Sequence, residues 1–332
     1  MKKVLFTIIL GAIVFSGCAQ KVGISALEPA EVDRISQTKK VTVTYFNNDR
    51  VGLSDKIEAK LAGFRLDNKK YFTIVSRKDF NNIISEQKLQ NSGLVNPQDA
   101  VKVGNIIGAQ AIISGRVSAP SQQDTHFYEK RVKCADLKCS QLEYYNVRCT
   151  KRVSSLSADM RIIDVTKGDI IFADTLSRAT THKHCSDDSR ALPSRGMIAQ
   201  ELANSIADTF TYKLTPHYRQ FNVVLLEKPD IDYNDRQEKL LEVSLKYIEQ
   251  RRYDKAEQLL TELIDATAQK SYVPFYNLGV LKEAQGNYKE AKEYYGYADH
   301  LMIEPVEEIN KAIVRIDNLI EKRKRGMEQI NR

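Results

Sequence analysis

The stretch 156-LSADMRIIDVTKGDIIFADTLSRAT-180 decides the fold of this chain. Apolar and polar residues alternate on both sides of the short turn Thr166–Gly168. Alternation with a period of two, interrupted by a glycine turn, predicts two antiparallel β-strands. In this register Val165 faces Ile170, and the two strands run outward toward cysteine-containing segments. The stretch therefore predicts a long β-hairpin.

Other strands and helices alternate on either side of this hairpin. Strand patterns occur in KKVTVTYFNND (39–49), YFTIVSR (71–77), AQAIISGRV (109–117) and RQFNVVLLE (219–227). Helical spacing of apolar residues occurs in segments 53–66, 77–90, 96–108 and 193–214. This order predicts an α/β (α+β) fold, with one mixed sheet and helices packed against it.

The first twenty residues, MKKVLFTIILGAIVFSGCAQ, have the build of a secretory signal peptide over residues 1–17. The apolar segment is too short to span about 30 Å of hydrocarbon. FSGC at 15–18 resembles the bacterial lipobox, which implies a lipid on Cys18 and cleavage before it. Ala19, rather than aspartate, favours the outer membrane. Residues 18–39 are expected to form a polar tether.

Four cysteines remain for the mature chain: Cys134, Cys139, Cys149 and Cys185. An oxidising envelope favours disulfides, and the hairpin register brings Cys149 close to Cys185, which leaves Cys134 for Cys139. His182 and His184 flank Cys185, so a metal site remains an alternative, although the cysteine spacing does not match most structural zinc sites. We expect two disulfides and no metal.

The segments YFTIVSRKDFNNIISEQKLQNSG, VGNIIGAQAIISGRVS and LSADMRIIDVTKGDIIFADTLSRAT resemble the CsgG family of curli-assembly lipoproteins. The resemblance implies a CsgG-like α/β domain over 40–229, with a cysteine-rich insert at 119–153. In the family's channel members, each subunit contributes two β-hairpins to an outer-membrane ring. The corresponding insert here is rich in basic residues and has no sustained apolar alternation, so we do not carry the channel function over.

Residues 230–332 contain a pattern that resembles tetratricopeptide repeats. Two copies lie 35 residues apart, near the usual 34-residue period. The positions that pack antiparallel helices in such repeats are Tyr253, Ala256, Phe275, Leu278, Gly279, Tyr288, Ala291, Tyr295 and Ala298. The resemblance implies a TPR-like helical domain that binds other proteins.

The chain has a net charge of +7 and lacks phosphate-binding, zinc-hydrolase and nucleophile-elbow motifs. We therefore expect neither an enzyme nor a cofactor, and in the envelope no nucleic-acid partner. The sequence predicts an outer-membrane lipoprotein facing the periplasm, which scaffolds or assembles an envelope complex. Its partners would be the membrane, through the lipid anchor, and envelope proteins, through the helical repeats. Homo-oligomer formation is left open. The alternatives are an oligomeric subunit of a curli-like secretion channel and an activator of a peptidoglycan synthase.

Overall fold

The computed structural model describes residues 20–75 and 97–332, which form two compact units. Among the described residues, those of Glu28–His217 and Arg325–Arg332 form the sheet unit, and Gln20–Leu27 and Tyr218–Lys324 form the helical unit. The predicted signal peptide, Cys18 and the predicted helix 77–90 lie outside the described residues. The division differs from the predicted domain boundary at residue 229, because residues 218–229 count with the helical unit.

The sheet unit contains strands and helices in alternation, as predicted. Its strands are β2 (Lys40–Val43), β3 (Arg65–Leu66), β4 (Lys69–Lys70), β5 (Thr73–Ile74), β6 (Ala111–Val117), β7 (Ser121–Cys134), β8 (Leu142–Asp164) and β9 (Ile170–Cys185). Its α-helices are α1 (Leu53–Gly63), α2 (Pro97–Ile107) and α3 (Arg195–Leu214), and Asp33–Gln37 form a 3-10 helix. The first predicted helix ends three residues early, because β3 and β4 form a small hairpin there.

The main sheet is mixed, as the order of elements predicts. β2 lies parallel to β5 and to β6, and β6 is antiparallel to β8. β8 also pairs with β7 over its first half and with β9 along most of its length. Side chains at alternate positions of β8, together with apolar residues of α1 and α3, form the core of this unit: Leu156, Ala158, Met160, Ile162, Ile57, Leu61, Ile206 and Phe210.

The predicted facing pair at the β8–β9 turn is wrong by a small register shift. Ile163, rather than Val165, lies opposite Ile170, and the turn is closed by the Gly168 amide donating to the Asp164 carbonyl at 2.8 Å. A bulge between Ile162 and Ile163 then shifts the pairing by one residue. The extra residue on one strand bends and twists a ribbon locally. As a result, Cys149 lies directly opposite Cys185.

The expectation of a polar tether over residues 18–39 is also wrong for its described part. Residues Lys21–Glu28 form β1, which pairs with β10 (His217–Val224) in a separate two-stranded sheet. Val22, Ile24 and Ala26 alternate with exposed residues and are buried in the core of the helical unit. The last predicted strand therefore belongs to this small sheet and not to the main one.

The rest of the helical unit consists of consecutive helices, as the repeat pattern predicts. They are α4 (Asp235–Glu249), α5 (Tyr253–Ala266), α6 (Tyr272–Ala284), α7 (Tyr288–Leu301) and α8 (Glu307–Asn331), whose last residues count with the sheet unit. Asn234 begins α4 with a capping box: its side chain accepts from the Gln237 amide, and Gln237 accepts from the Asn234 amide. Such reciprocal bonds satisfy two amides that a helix start leaves without partners.

Candidate functional site

A two-stranded β-hairpin extends from the sheet unit. β9 ends at Cys185, opposite Cys149, and within the described residues β8 continues beyond this point paired with β7. We call the hairpin Tyr128–Arg148 the arm. Its strands match residue for residue, from Tyr128 opposite Arg148 to Cys134 opposite Leu142. The insert that appeared irregular in sequence is therefore regular β-structure.

The two faces of the arm differ in character. At the root, Val147 on one face of the arm packs with Cys149 and Cys185 in a small buried cluster, against which the partly buried Phe127 lies. The opposite face exposes four large apolar or aromatic side chains to between 51% and 71% of their area: Tyr128, Val132, Leu142 and Tyr144. The Lys130 ammonium lies 4.3 Å from the centre of the Tyr144 ring. This face is an apolar strip with a cation stacked on it.

One disulfide bond closes the tip of the arm, and a second joins β8 to β9 next to its root. Cys134 is bonded to Cys139 at the tip, and Cys149 is bonded to Cys185 at the root. This pairing agrees with the one expected from strand register. Glu129, Cys149 and Cys185 are the group of potential metal ligands found among the described residues, but both sulfur atoms are already used in the disulfide.

The tip is a compact turn that presents a single leucine. The Asp136 carboxylate accepts a hydrogen bond from the Ser140 amide at 2.7 Å, and the Ala135 amide donates to the Gln141 carbonyl at 2.8 Å. Hydrogen bonds from Ser140 lower the pKa of Asp136. The side chain of Leu137 is fully exposed. The tip therefore displays an apolar group from a turn held by a disulfide and by hydrogen bonds.

An ion-pair network fixes the root of the arm to helix α3. Arg152 on β8 donates two hydrogen bonds to the Asp124 carboxylate on β7, at 2.7 and 2.8 Å, and a third to the Pro193 carbonyl at 2.7 Å. Arg195, in the first turn of α3, lies 3.1 Å from the same carboxylate. These bonds, with that from Arg152 the strongest, hold the pKa of Asp124 well below its usual range. These bonds therefore hold the strands at the root of the arm against the start of α3.

The predicted repeat positions pack the helices of the helical unit against one another. Gly279 on α6 lies under the Tyr295 ring of α7, and a methyl group at Gly279 would come within 2.6 Å of that ring. Eight of the nine predicted packing residues are buried in the core, while Tyr253 is half-buried at its edge. The small residues therefore allow close approach of antiparallel helices.

A buried ionic cluster joins three helices of this unit. The Glu283 carboxylate is fully buried and accepts hydrogen bonds from Arg315 at 2.8 and 2.9 Å and from the Tyr295 hydroxyl at 2.5 Å. Burial and the nearby negative charge of Glu283 raise the pKa of Tyr295 well above its usual value. Burial alone would lower the pKa of Arg315, but the bonds to Glu283 raise it. The groups satisfy one another, as buried charges must.

The face of α6 toward the small sheet is occupied by the chain itself. Asn277, fully buried, donates to the Leu226 carbonyl and accepts from the Leu226 amide, and Tyr276 donates to the Val224 carbonyl at 2.8 Å. The asparagine side chain thus bonds both the backbone N–H and the backbone C=O of one residue and holds the segment that follows β10 against α6. This part of the helical surface is therefore filled by residues 224–226.

The described residues of the helical unit line open depressions on its surface. One, of about 300 Å³, is lined by Thr261, Ile264, Gln269, Phe275, Leu278, Tyr294 and Tyr297. The other is a wider groove of about 970 Å³ along α4, lined by Gln20, Lys21, Glu227, Pro229, Asp235, Glu238, Lys239, Leu241, Glu242, Leu245, Lys246 and Glu249. The first is aromatic and small, whereas the second is strongly charged.

The profile of the family "curli production assembly/transport component CsgG" matches residues 29–209. This match covers more than half of the chain and nearly the whole of the main segment of the sheet unit, Glu28–His217. The chain belongs to the CsgG family. The arm and its disulfides lie inside the CsgG-family domain, and the helical unit lies outside the matched residues.

Among solved structures, the CsgG-family chain is similar to that of lipoprotein GNA1162 from Neisseria meningitidis. The identity is 15%, the alignment covers 52% of this chain and 97% of that chain, and the TM-score is 0.25. At this TM-score the likeness carries no functional argument. No curated protein sequence matches the chain. Within residues 20–75 and 97–332, no helix is long and apolar enough to cross a membrane.

Sequence reasoning found the cysteines and the repeat positions but missed the polar groups that organise the helical unit. Asn277 and Glu283 lie on α6, whose residues Val273–Glu283 are all buried. A helix that is apolar on every side is a core helix, so polar residues within it must find internal partners. Polar residues within an otherwise apolar helix can be recognised in the sequence, and Asn277 and Glu283 are two of them.

Proposed function

We propose that the protein is a non-enzymatic outer-membrane lipoprotein, facing the periplasm, that serves as a scaffold or assembly factor for an envelope complex. Cys18 would carry the lipid, and the CsgG-family domain and the helical unit would bind protein partners. Membership in a family described as an assembly and transport component supports an assembly role. The repeat-like helices support binding to proteins.

The observation that carries this proposal is the apolar strip on the arm. Soluble proteins rarely expose contiguous apolar patches without a use, and tyrosine is enriched where proteins bind each other. Val132, Leu142 and Tyr144 form such a patch toward the tip, Leu137 is exposed at the turn itself, and Tyr128 lies apart on the other side of Lys130. Because a disulfide holds the tip of the arm and a second bonds β8 to β9 at its root, binding would require little further ordering.

Site-specific photocrosslinking in intact cells tests the proposal. A photoreactive amino acid replaces Leu137, and the matched control replaces Ile303, an equally exposed apolar residue of the helical unit. We expect a discrete protein adduct from position 137 that is absent at position 303. The adduct should decrease at least about fivefold when Val132→Ser and Tyr144→Ser remove the apolar strip. Failure to form any adduct at position 137 would contradict a protein-binding arm.

A secretion-channel subunit remains the second candidate, because the chain has two consecutive antiparallel hairpins, β7–β8 and β8–β9, within the CsgG-family domain. Against this role, Lys130 and Arg148 interrupt the apolar face of the arm, and a cationic side chain facing lipid costs about 2–4 kcal/mol near the bilayer centre. Defined conductance steps from purified protein in planar bilayers would favour the channel. An adduct between two copies of this chain would point to a ring.

A further inference from the structure

The first described residue of the chain, Gln20, is held firmly in the helical unit. Its amide donates to the Glu227 carboxylate, its carbonyl accepts from the Leu225 amide at 2.9 Å, and its side-chain amide donates to the Leu245 carbonyl at 2.9 Å. β1 begins at the next residue, with Val22 and Ile24 buried. The chain is therefore fixed from Gln20 onward.

This placement limits how far the helical unit can be from a lipid on Cys18. Cys18 precedes Gln20 by two residues, and two residues of extended chain span at most about 7 Å. Acyl chains on Cys18 would lie in the hydrocarbon, which places the cysteine itself at the headgroup layer. Gln20 must then lie within about 7 Å of that layer. A folded unit so attached has one face against the membrane.

That face contains the charged groove along α4, because Gln20 and Lys21 line it. We propose that this groove lies on the lipid layer that anchors Cys18 and accommodates the headgroups of zwitterionic phospholipids. The proposal rests on the lipid anchor of the proposed function. It goes further in assigning the membrane-facing surface, and a lipid chemistry, to the helical unit.

The charges of the groove select the class of headgroup. Its lining residues include five carboxylates and three lysines. Glu242 is shared by Lys239, at 2.9 Å, and by Lys246, so two of the three cations are partly neutralised within the groove. An anionic headgroup layer would meet an excess of like charge here. A zwitterionic headgroup that ends in an ammonium group offers its positive end to the carboxylates and its phosphate to Lys21.

Fluorescence quenching in vesicles tests the assignment on the full-length lipidated protein. Lys239→Cys, in the groove, carries the fluorophore, and Lys289→Cys, an exposed residue of α7 that does not line the groove, is the matched control. The native cysteines in disulfides do not react with the label. Vesicles contain headgroup-spin-labelled lipid in either phosphatidylethanolamine-rich or phosphatidylglycerol-rich membranes. Incorporation of radioactive fatty acid at Cys18 is measured on the same samples.

We expect at least about twofold stronger quenching from position 239 than from position 289, and stronger quenching in the ethanolamine-rich vesicles. Equal or weaker quenching at position 239 in protein that carries the lipid would overturn the membrane-facing groove. Equal quenching in the two vesicle types would overturn the headgroup assignment. Protein without fatty acid at Cys18 would instead refute the lipid anchor of the proposed function, so the two failures are distinguishable.

Discussion

The side chain of Asn277 and the backbone N–H and C=O of Leu226 exchange two hydrogen bonds, at 2.8 and 2.9 Å, across 51 residues of chain. This exchange fixes the segment that follows strand β10 against helix α6. It also means that part of the repeat surface is occupied by the protein's own backbone. Partners of the helical unit must therefore bind elsewhere on it.

Asn277→Ala should destabilise the helical unit by roughly 2–4 kcal/mol, because it leaves a partly buried amide and a partly buried carbonyl of Leu226 without partners at about 1–3 kcal/mol each. Urea denaturation measures the loss, and hydrogen exchange of the Leu226 amide should accelerate selectively. Asn287→Ala is the matched control, because Asn287 is exposed and its side chain makes no cap hydrogen bond. If Asn287→Ala lost as much unfolding free energy as Asn277→Ala, the stabilising role of the bonds between Asn277 and Leu226 would be contradicted.

Gly279→Ala should lower stability by about 1–3 kcal/mol, because the new methyl group would meet the buried Tyr295 ring at 2.6 Å. Gly296→Ala provides the opposite case on α7: no atom lies within 4 Å of its added methyl group. Alanine is the better helix former by about 0.5–1 kcal/mol, so this variant should gain stability. Thermal unfolding compares the two, and a destabilised Gly296→Ala variant would argue against the packing described.

Removal of the two disulfides should have unequal effects. The bond Cys149–Cys185 spans 36 residues and the bond Cys134–Cys139 spans five, so loop-closure entropy predicts losses of about 4 and about 2 kcal/mol. Paired alanine substitutions, Cys149→Ala with Cys185→Ala and Cys134→Ala with Cys139→Ala, allow the comparison by denaturation. Non-reducing peptide mapping of the parent protein checks the connectivity. A peptide that joins Cys139 to Cys185 would refute it.

Alkaline pH should destabilise the helical unit through Tyr233. Burial, only partly offset by the 2.5 Å hydrogen bond with Ser271, raises the pKa of Tyr233 to about 12. The pKa in the unfolded chain is about 10, so the stabilisation is complete below pH 10 and is lost as the pH rises toward 12. Tyr233→Phe should reduce the slope of unfolding free energy against pH in this window. An unchanged slope would show that Tyr233 does not contribute.

Cys18→Ser should release the protein from the outer membrane into the periplasm, because no acyl chain would then hold it. Ala19→Asp should leave the lipid in place and shift the protein toward the inner membrane, since aspartate after the cysteine resembles an inner-membrane retention signal. Membrane fractionation of the two variants provides the measurement. If Cys18→Ser protein still fractionates with the outer membrane, the lipid is not the anchor.

Local periodicity was sufficient to predict much of the molecule. Apolar residues recur every two residues in the hairpin around Lys167–Gly168 and every three to four residues in the paired helices around Gly279 and Ala291. Such a spacing identifies the buried face of a single strand or helix. The pairing of Cys149 with Cys185 followed from the same hairpin, because the residue numbers of facing positions in two antiparallel strands have a constant sum. The pairing next to the turn differs from the predicted one by two residues, and a bulge at Ile162/Ile163 reduces the difference to one residue farther along the strands; periodicity alone specifies neither shift.

Tertiary structure decided which elements lie against each other. Lys21–Glu28 has the alternation of a strand, yet its partner is β10, nearly two hundred residues later in the chain. Backbone hydrogen bonds between strands are the same for every sequence, so a strand pattern does not identify its partner. The bonds of Asn277 and Glu283 likewise depend on groups from distant segments. The sequence by itself thus determined the central hairpin, most of the helices and their buried faces, whereas β1, the strands of the insert and the pairing of distant strands were decided by the tertiary structure, because burial is a local property and pairing is not.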